Sequence, residues 1–222
     1  KTRDIIAIGN WENLNNERVE RLAEVVIRKE DSDSIVGLID ESADPMKGHM
    51  VEVAVTIEGI EGNKKVGILN GLHDNTWKSA LNKIETLEDE KITAILQLEN
   101  LQQQKAAEVA AMMIIKSENE FIIQLINEGE KNPGGLIGLV LGMGNINKKI
   151  QILNDIDDNG WRKAMGEIEK KASNEIIAIG NLNGLSSEKA KELAKVVMDK
   201  EVSSNIVGLI DESADPMKGH MV

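Results

Sequence analysis

The stretch IVGLIDESADPMKGHMV from Ile35 to Val51 recurs without a change from Ile206 to Val222. Its upstream flanks agree as well: DIIAIGNWENL from Asp4 resembles EIIAIGNLNGL from Glu175. A weaker copy lies between them, in KITAILQLENL from Lys91 and FIIQLINEGEKNPGG from Phe121, and in that register Trp77 matches Trp161. Repetition on this scale predicts an array of similar units that stack to bury a shared core.

A finer period lies inside the blocks. Eight segments read apolar, any residue, apolar, any residue, then an amide or an acid. They end at Asn10, Asp40, Asn70, Gln97, Asn127, Asn154, Asn181 and Asp211, in steps of 30, 30, 27, 30, 27, 27 and 30 residues. Each segment is short, rich in β-branched residues and alternating, which predicts a strand. Most are followed by an apolar stripe at helical spacing. Val19, Leu22, Ala23 and Val26 form one. Trp77, Ala80, Leu81 and Ile84 form another, matched by Trp161, Ala164, Met165 and Ile168. Ala106, Val109, Ala110 and Met113 repeat it, as do Leu193, Ala194 and Val197. Such stripes bury one helix face and leave the charged face to water.

The expected fold is therefore α/β: a single horseshoe solenoid over residues 1–222, of about 7.5 strand–helix repeats of 27–30 residues, with a parallel sheet on the concave face. Three-repeat blocks fall at 4–90 and 91–174, with 175–222 an incomplete third. A (βα)8 barrel and a two-lobed α+β repeat use the same elements and stay open as alternatives. Residues 46–58 and 134–144 fit either a helix or a strand. Pro45 behind Asp44 favours a helix start, and a hairpin through Gly62 and Asn63 is the competing reading.

Composition narrows the class. The chain has 222 residues, 41% apolar and 29% charged, with a net charge of −12 and no cysteine. That excludes disulfides and thiolate metal sites. The acidity argues against nucleic acid, which needs a basic footprint. No apolar run reaches the roughly 18 residues of a membrane span, and no signal peptide is apparent, so a cytoplasmic location is expected.

At the level of pattern, the units resemble leucine-rich repeats of the ribonuclease-inhibitor type, and are most similar to the leucine-rich-repeat domain of tropomodulins. IIAIGNLNGLSSEKAKELAKVVMDKE is similar to that family's first unit. IVGLIDESADPMKGHMVEVAVTIEG is similar to the next, with Gly48 and Gly219 opening helices, and VGILNGLHDNTWKSALNKIETLEDEKITAIL to the third. The resemblance implies a non-enzymatic protein-binding scaffold with actin as a candidate partner.

The residues themselves supply little chemistry. The column Asn10, Asp40, Asn70, Gln97, Asn127, Asn154, Asn181 and Asp211 reads first as structural, since short amides and acids end elements by bonding backbone. A binding ladder is the other reading. His49 and His220 occupy one repeat position, and His73 stands beside Asp74 without metal-ligand spacing. The acidic clusters Asp40, Glu41, Asp44 and Asp211, Glu212, Asp215 read as solvated turns. The glycines of 134–144 match no phosphate-loop pattern. Trp77 and Trp161 are candidate protein-interface residues, with core packing the plainer reading. No catalytic residue, cofactor site or metal site is expected. The competing functions are a duplicated or engineered array without a selected ligand, self-associating head to tail, and a βα-barrel enzyme, for which the column offers mainly amides.

Overall fold

A computed structural model describes residues 1–222 apart from 12, 43–45, 129–132 and 213–216. Among the described residues every regular element is a helix, and the helices come in pairs. The first four pairs are α1 (Thr2–Gly9) with α2 (Asn16–Lys29), α3 (Ser32–Glu41) with α4 (Met46–Thr56), α5 (Gly62–Gly71) with α6 (Asp74–Glu85), and α7 (Asp89–Leu96) with α8 (Gln103–Lys116). The next four are α9 (Asn119–Glu128) with α10 (Pro133–Gly142), α11 (Ile146–Asp155) with α12 (Asp158–Ile168), α13 (Ser173–Gly180) with α14 (Ser187–Lys200), and α15 (Ser203–Glu212) with α16 (Met217–Met221).

This overturns the α/β expectation. The period is real, but each unit is helix–helix and not strand–helix. Neither the leucine-rich-repeat solenoid, nor the barrel, nor the α+β repeat is built, because no strand forms among the described residues. The segments chosen as strands are the first helices of the pairs. The alternating reading took Val36 and Leu38, two apart, as the buried face. The fully buried residues are Ile35 and Ile39, four apart, while Val36 and Leu38 are half-buried. The same spacing buries Ile92, Ile95 and Leu96 in α7 and Ile122, Leu125 and Ile126 in α9. Over so short a segment a two-residue and a 3.6-residue period overlap, and the β preference of Ile and Val yields to packing. Local chemistry starts the helices: Asp31, Asn145 and Asp157 accept backbone N–H bonds from Ser34, Lys148 and Gly160 as N-caps.

The second helices carry the apolar stripes. Val19, Ala23 and Val26 of α2, Ala80 and Ile84 of α6, and Leu193, Ala194 and Val197 of α14 are buried. The open segments resolve as helices, and the hairpin through Gly62 and Asn63 is replaced by the start of α5. In α4, Met46, Met50, Val51, Val53, Ala54 and Val55 are all buried, because α2 packs on one side and α6 on the other. A helix covered nearly all round loses its one-sided stripe, which is why its sequence read both ways. Pro45 and Asp44 lie outside the described residues.

The chain divides into two compact units, Lys1–Met113 and Ile114–Val222. In the first, α2, α4 and α6 pack in sequence and α3 packs on α5. In the second, α9 packs on α11, α10 on α12, and α14 on both α13 and α16. Ile39→Ala is expected to lower the unfolding free energy by about 2–5 kcal/mol. Ile210→Ala, at the equivalent but half-buried position, should cost clearly less. Urea unfolding followed by circular dichroism compares them.

Candidate functional site

An α-helix ends with carbonyls that have no partner inside the helix. In this protein the following unit supplies the donors. Lys105, near the start of α8, reaches back to the end of α5. Its Nζ donates to the carbonyls of Leu69, Asn70 and Leu72 at 2.6, 2.9 and 2.8 Å. The ammonium also lies 4.9 Å from the centroid of the Trp77 ring. The Trp77 indole N–H donates to Glu108 Oε2 at 2.5 Å. The cation therefore sits against the negative end of a helix dipole, over an aromatic face, with a carboxylate nearby.

The second unit builds the same arrangement around Trp161. Lys189 donates to the carbonyls of Leu153, Asn154 and Ile156 and lies 4.9 Å from the Trp161 ring. The Trp161 N–H donates to Glu192 at 2.5 Å. A reduced version has Lys163 Nζ donating to Ile126 O at 2.9 Å and Asn127 O at 3.3 Å.

The column of amides and acids sits at or near the ends of the first helices, and Asn10, Asp40, Asn70, Asn127 and Asn154 take part in the same junctions. Asn70 Nδ2 donates to Asn100 O at 2.9 Å, and Asn70 Oδ1 accepts the Gln102 N–H at 2.9 Å. Asn154 repeats both bonds, to Gly184 O at 2.8 Å and from the Ser186 N–H at 2.9 Å. Asn127 Oδ1 accepts the Asp157 N–H and Asn10 Oδ1 the Met46 N–H. Asp40 Oδ2 lies 2.6 Å from His73 Nδ1. These bonds span about one repeat, so the amides tie neighbouring units together and do not close their own turns. Asn181 is buried at its Oδ1, which is unpartnered. Gln97 caps α7, and Asp211 lies exposed on α15.

The loops that receive the Asn70 and Asn154 amides need a left-handed residue. Asn100 has φ 67° and its counterpart Gly184 has φ 105°. Each presents its carbonyl to the preceding unit's asparagine.

Trp77 and Trp161 are 5% and 7% exposed, so their contacts are mostly internal to their units. Over Trp77 and Lys105 lies a cleft of about 500 Å³ that His73, Asp74, Asn70 and Glu108 also line. A neighbouring hollow of about 380 Å³ has Asp40 and Lys47 on its walls. His49 is half-buried on α4, and His220 Nε2 is 3.3 Å from Ser187 Oγ. Asp44 and Asp215 of the acidic clusters lie outside the described residues. No group of three His, Asp or Glu side chains suited to a metal ion occurs among the described residues.

Sequence reading singled out the tryptophans and the asparagines but missed Lys105, Lys189, Glu108 and Glu192. The signal was present: Lys105 with Lys189, and Glu108 with Glu192, keep the same offset as Trp77 with Trp161. No family model matches this chain, and no curated protein or solved structure proves similar to it. Fold and junctions together define a protein of helix-pair repeats. No helix among the described residues is long and apolar enough to cross a membrane.

Burial lowers the Lys105 ammonium below the ordinary lysine value of 10.5, with the Glu108 and Asp74 carboxylates opposing the shift. Between the lowered value and 10.5 the unfolded chain holds this proton and the folded chain has released it. The Lys105 contribution to stability therefore rises with pH across that interval. Side-chain NMR titration should show Lys105 deprotonating below the ordinary value, and Lys105→Met should flatten that part of the stability profile. Gly184→Ala is expected to cost about 1–2 kcal/mol, since only the backbone conformation resists the added methyl group: its nearest contact would be Ile150 at an unstrained 3.6 Å. Thermal unfolding measures it.

Proposed function

We propose that the protein is a non-enzymatic scaffold that binds another protein. The observation that carries this reading is where the polar groups of the junctions are used. Lys105, Asn70 and their counterparts Lys189 and Asn154 are bonded to the backbone of a neighbouring unit. An active site would hold such groups free and aim them at a substrate.

The net charge of −12 favours a partner with a basic face, drawn in by long-range attraction. Trp11, 62% exposed beyond the end of α1, is a large apolar side chain available as an anchor. Actin is not carried into this proposal, because the resemblance that suggested it was to strand–helix units. A duplicated array without a selected ligand is the second reading, favoured by the unchanged stretch at 35–51 and 206–222.

Asn70→Ala and Asn154→Ala separate scaffold from enzyme. Each removes two hydrogen bonds, so stability should fall by about 1–3 kcal/mol, with partner capture weakening only to the extent that folding does. Trp11→Ala should reduce capture at unchanged stability, and raising the salt concentration should weaken it further. A turnover activity lost in Asn70→Ala at full stability would overturn the scaffold reading.

A further inference from the structure

The dipeptide Asn-Gly occurs three times, at Asn70–Gly71, Asn159–Gly160 and Asn183–Gly184. An asparagine before a glycine is open to a reaction that needs no enzyme. The glycine nitrogen attacks the side-chain amide carbon, and no Cβ on the glycine crowds the approach. The reaction requires that the side-chain amide and the following N–H be free, and that the backbone be able to bring nitrogen onto carbon.

The three copies differ in these respects. Asn70 lies in α5. Its Oδ1 accepts the Gln102 N–H, its Nδ2 donates to Asn100 O, and Gly71 is the last residue of the helix. Asn159 lies in the first turn of α12. Its Nδ2 donates to Asn127 O at 3.0 Å, and the Gly160 N–H donates to Asp157 Oδ1 at 2.7 Å. Asn183 and Gly184 are exposed, in a turn closed by the Leu185 N–H donating to Leu182 O at 3.0 Å. Among the described residues, neither the Asn183 side chain nor the Gly184 N–H has a hydrogen-bond partner. The first unit carries Glu99–Asn100 at this place, and a glutamate carboxylate has no amide to lose.

We propose that Asn183 is a site of spontaneous deamidation, and that isoaspartate formed there unties the Asn154 junction. The Gly184 nitrogen bonds to Asn183 Cγ as the Cγ–Nδ2 bond breaks. The side-chain nitrogen leaves as ammonia, carrying the proton of the Gly184 N–H. Water then opens the succinimide. Cleavage at Cγ gives aspartate with the backbone intact. Cleavage at the backbone carbonyl gives isoaspartate, whose chain runs through Cβ and is longer by one carbon. That added carbon lies immediately before the two groups that hold Asn154. Gly184 O accepts from Asn154 Nδ2 at 2.8 Å, and the Ser186 N–H donates to Asn154 Oδ1 at 2.9 Å. Lengthening the chain shifts both out of register with Asn154 and moves Ser186, the N-cap of α14. This does not rest on the scaffold reading.

The test holds the full chain in mildly alkaline buffer and samples it by peptide mapping, with fragmentation that separates aspartate from isoaspartate. Asn183 should lose ammonia at least about tenfold faster than Asn70 or Asn159, whose hydrogen bonds must first open. Isoaspartate should be among the products. In that fraction, amide hydrogen exchange of Ser186 should be about tenfold or more faster than in fresh protein. Asn183→Ser, at an exposed position with no bonds to lose, should keep Ser186 protected through the same ageing. Equal rates at the three sites, or an Asn183 that stays intact, overturns the proposal. Isoaspartate at 183 with Ser186 exchange unchanged overturns its link to the junction.

Discussion

The constraint on which the structure depends is the demand of a helix end for hydrogen-bond donors. First helices of eight to ten residues are too short to be stable alone in water. A large share of each consists of terminal carbonyls. Lys105 and Lys189, each bonded to three such carbonyls, meet this need from the next unit. Other cations do the same at the ends of second helices. Lys64 donates to Arg28 O, Lys148 to Ser117 O, and Lys200 to Glu169 O and Lys171 O. A unit is completed by its successor, which makes folding cooperative between neighbours.

This use of lysine gives the chain an uneven electrostatic character. There are 26 basic and 38 acidic residues, and many of the bases are spent inside junctions on backbone oxygens. Acids serve the junctions too: Glu108 and Glu192 accept the tryptophan N–H groups, and Glu30 and Glu201 accept from the Thr2 and Ser173 hydroxyls. Trp77 and Trp161 belong to the junctions, whereas Trp11 is an exposed tryptophan.

Much of the organisation was legible in the sequence. The repeat offsets, the steps of the polar column and the apolar stripes of the second helices all correspond to structural features. The misreading lay in the first helices. In DIIAIGN and SIVGLID nearly every residue is apolar or small, so alternation and helical spacing both find matches within a few positions. The pair at i and i+4, Ile35 with Ile39, carried the correct period, but it competes with Val36 and Leu38 until something shows which pair is covered. The junction lysines were missed for a related reason. A lysine on the polar face of an amphipathic helix looks the same whether it points to water or into the end of a neighbouring helix.

The sequence by itself determined the spacing of the units and the offsets at which they repeat, because a covalent repeat is visible without knowing what it folds into. Only the tertiary structure decided that the short apolar segments are helices, since burial of one face against a neighbour outweighs the β preference of Ile and Val. Only it revealed which lysines are inter-unit caps, because that role is fixed by a carbonyl a full repeat away and not by local sequence.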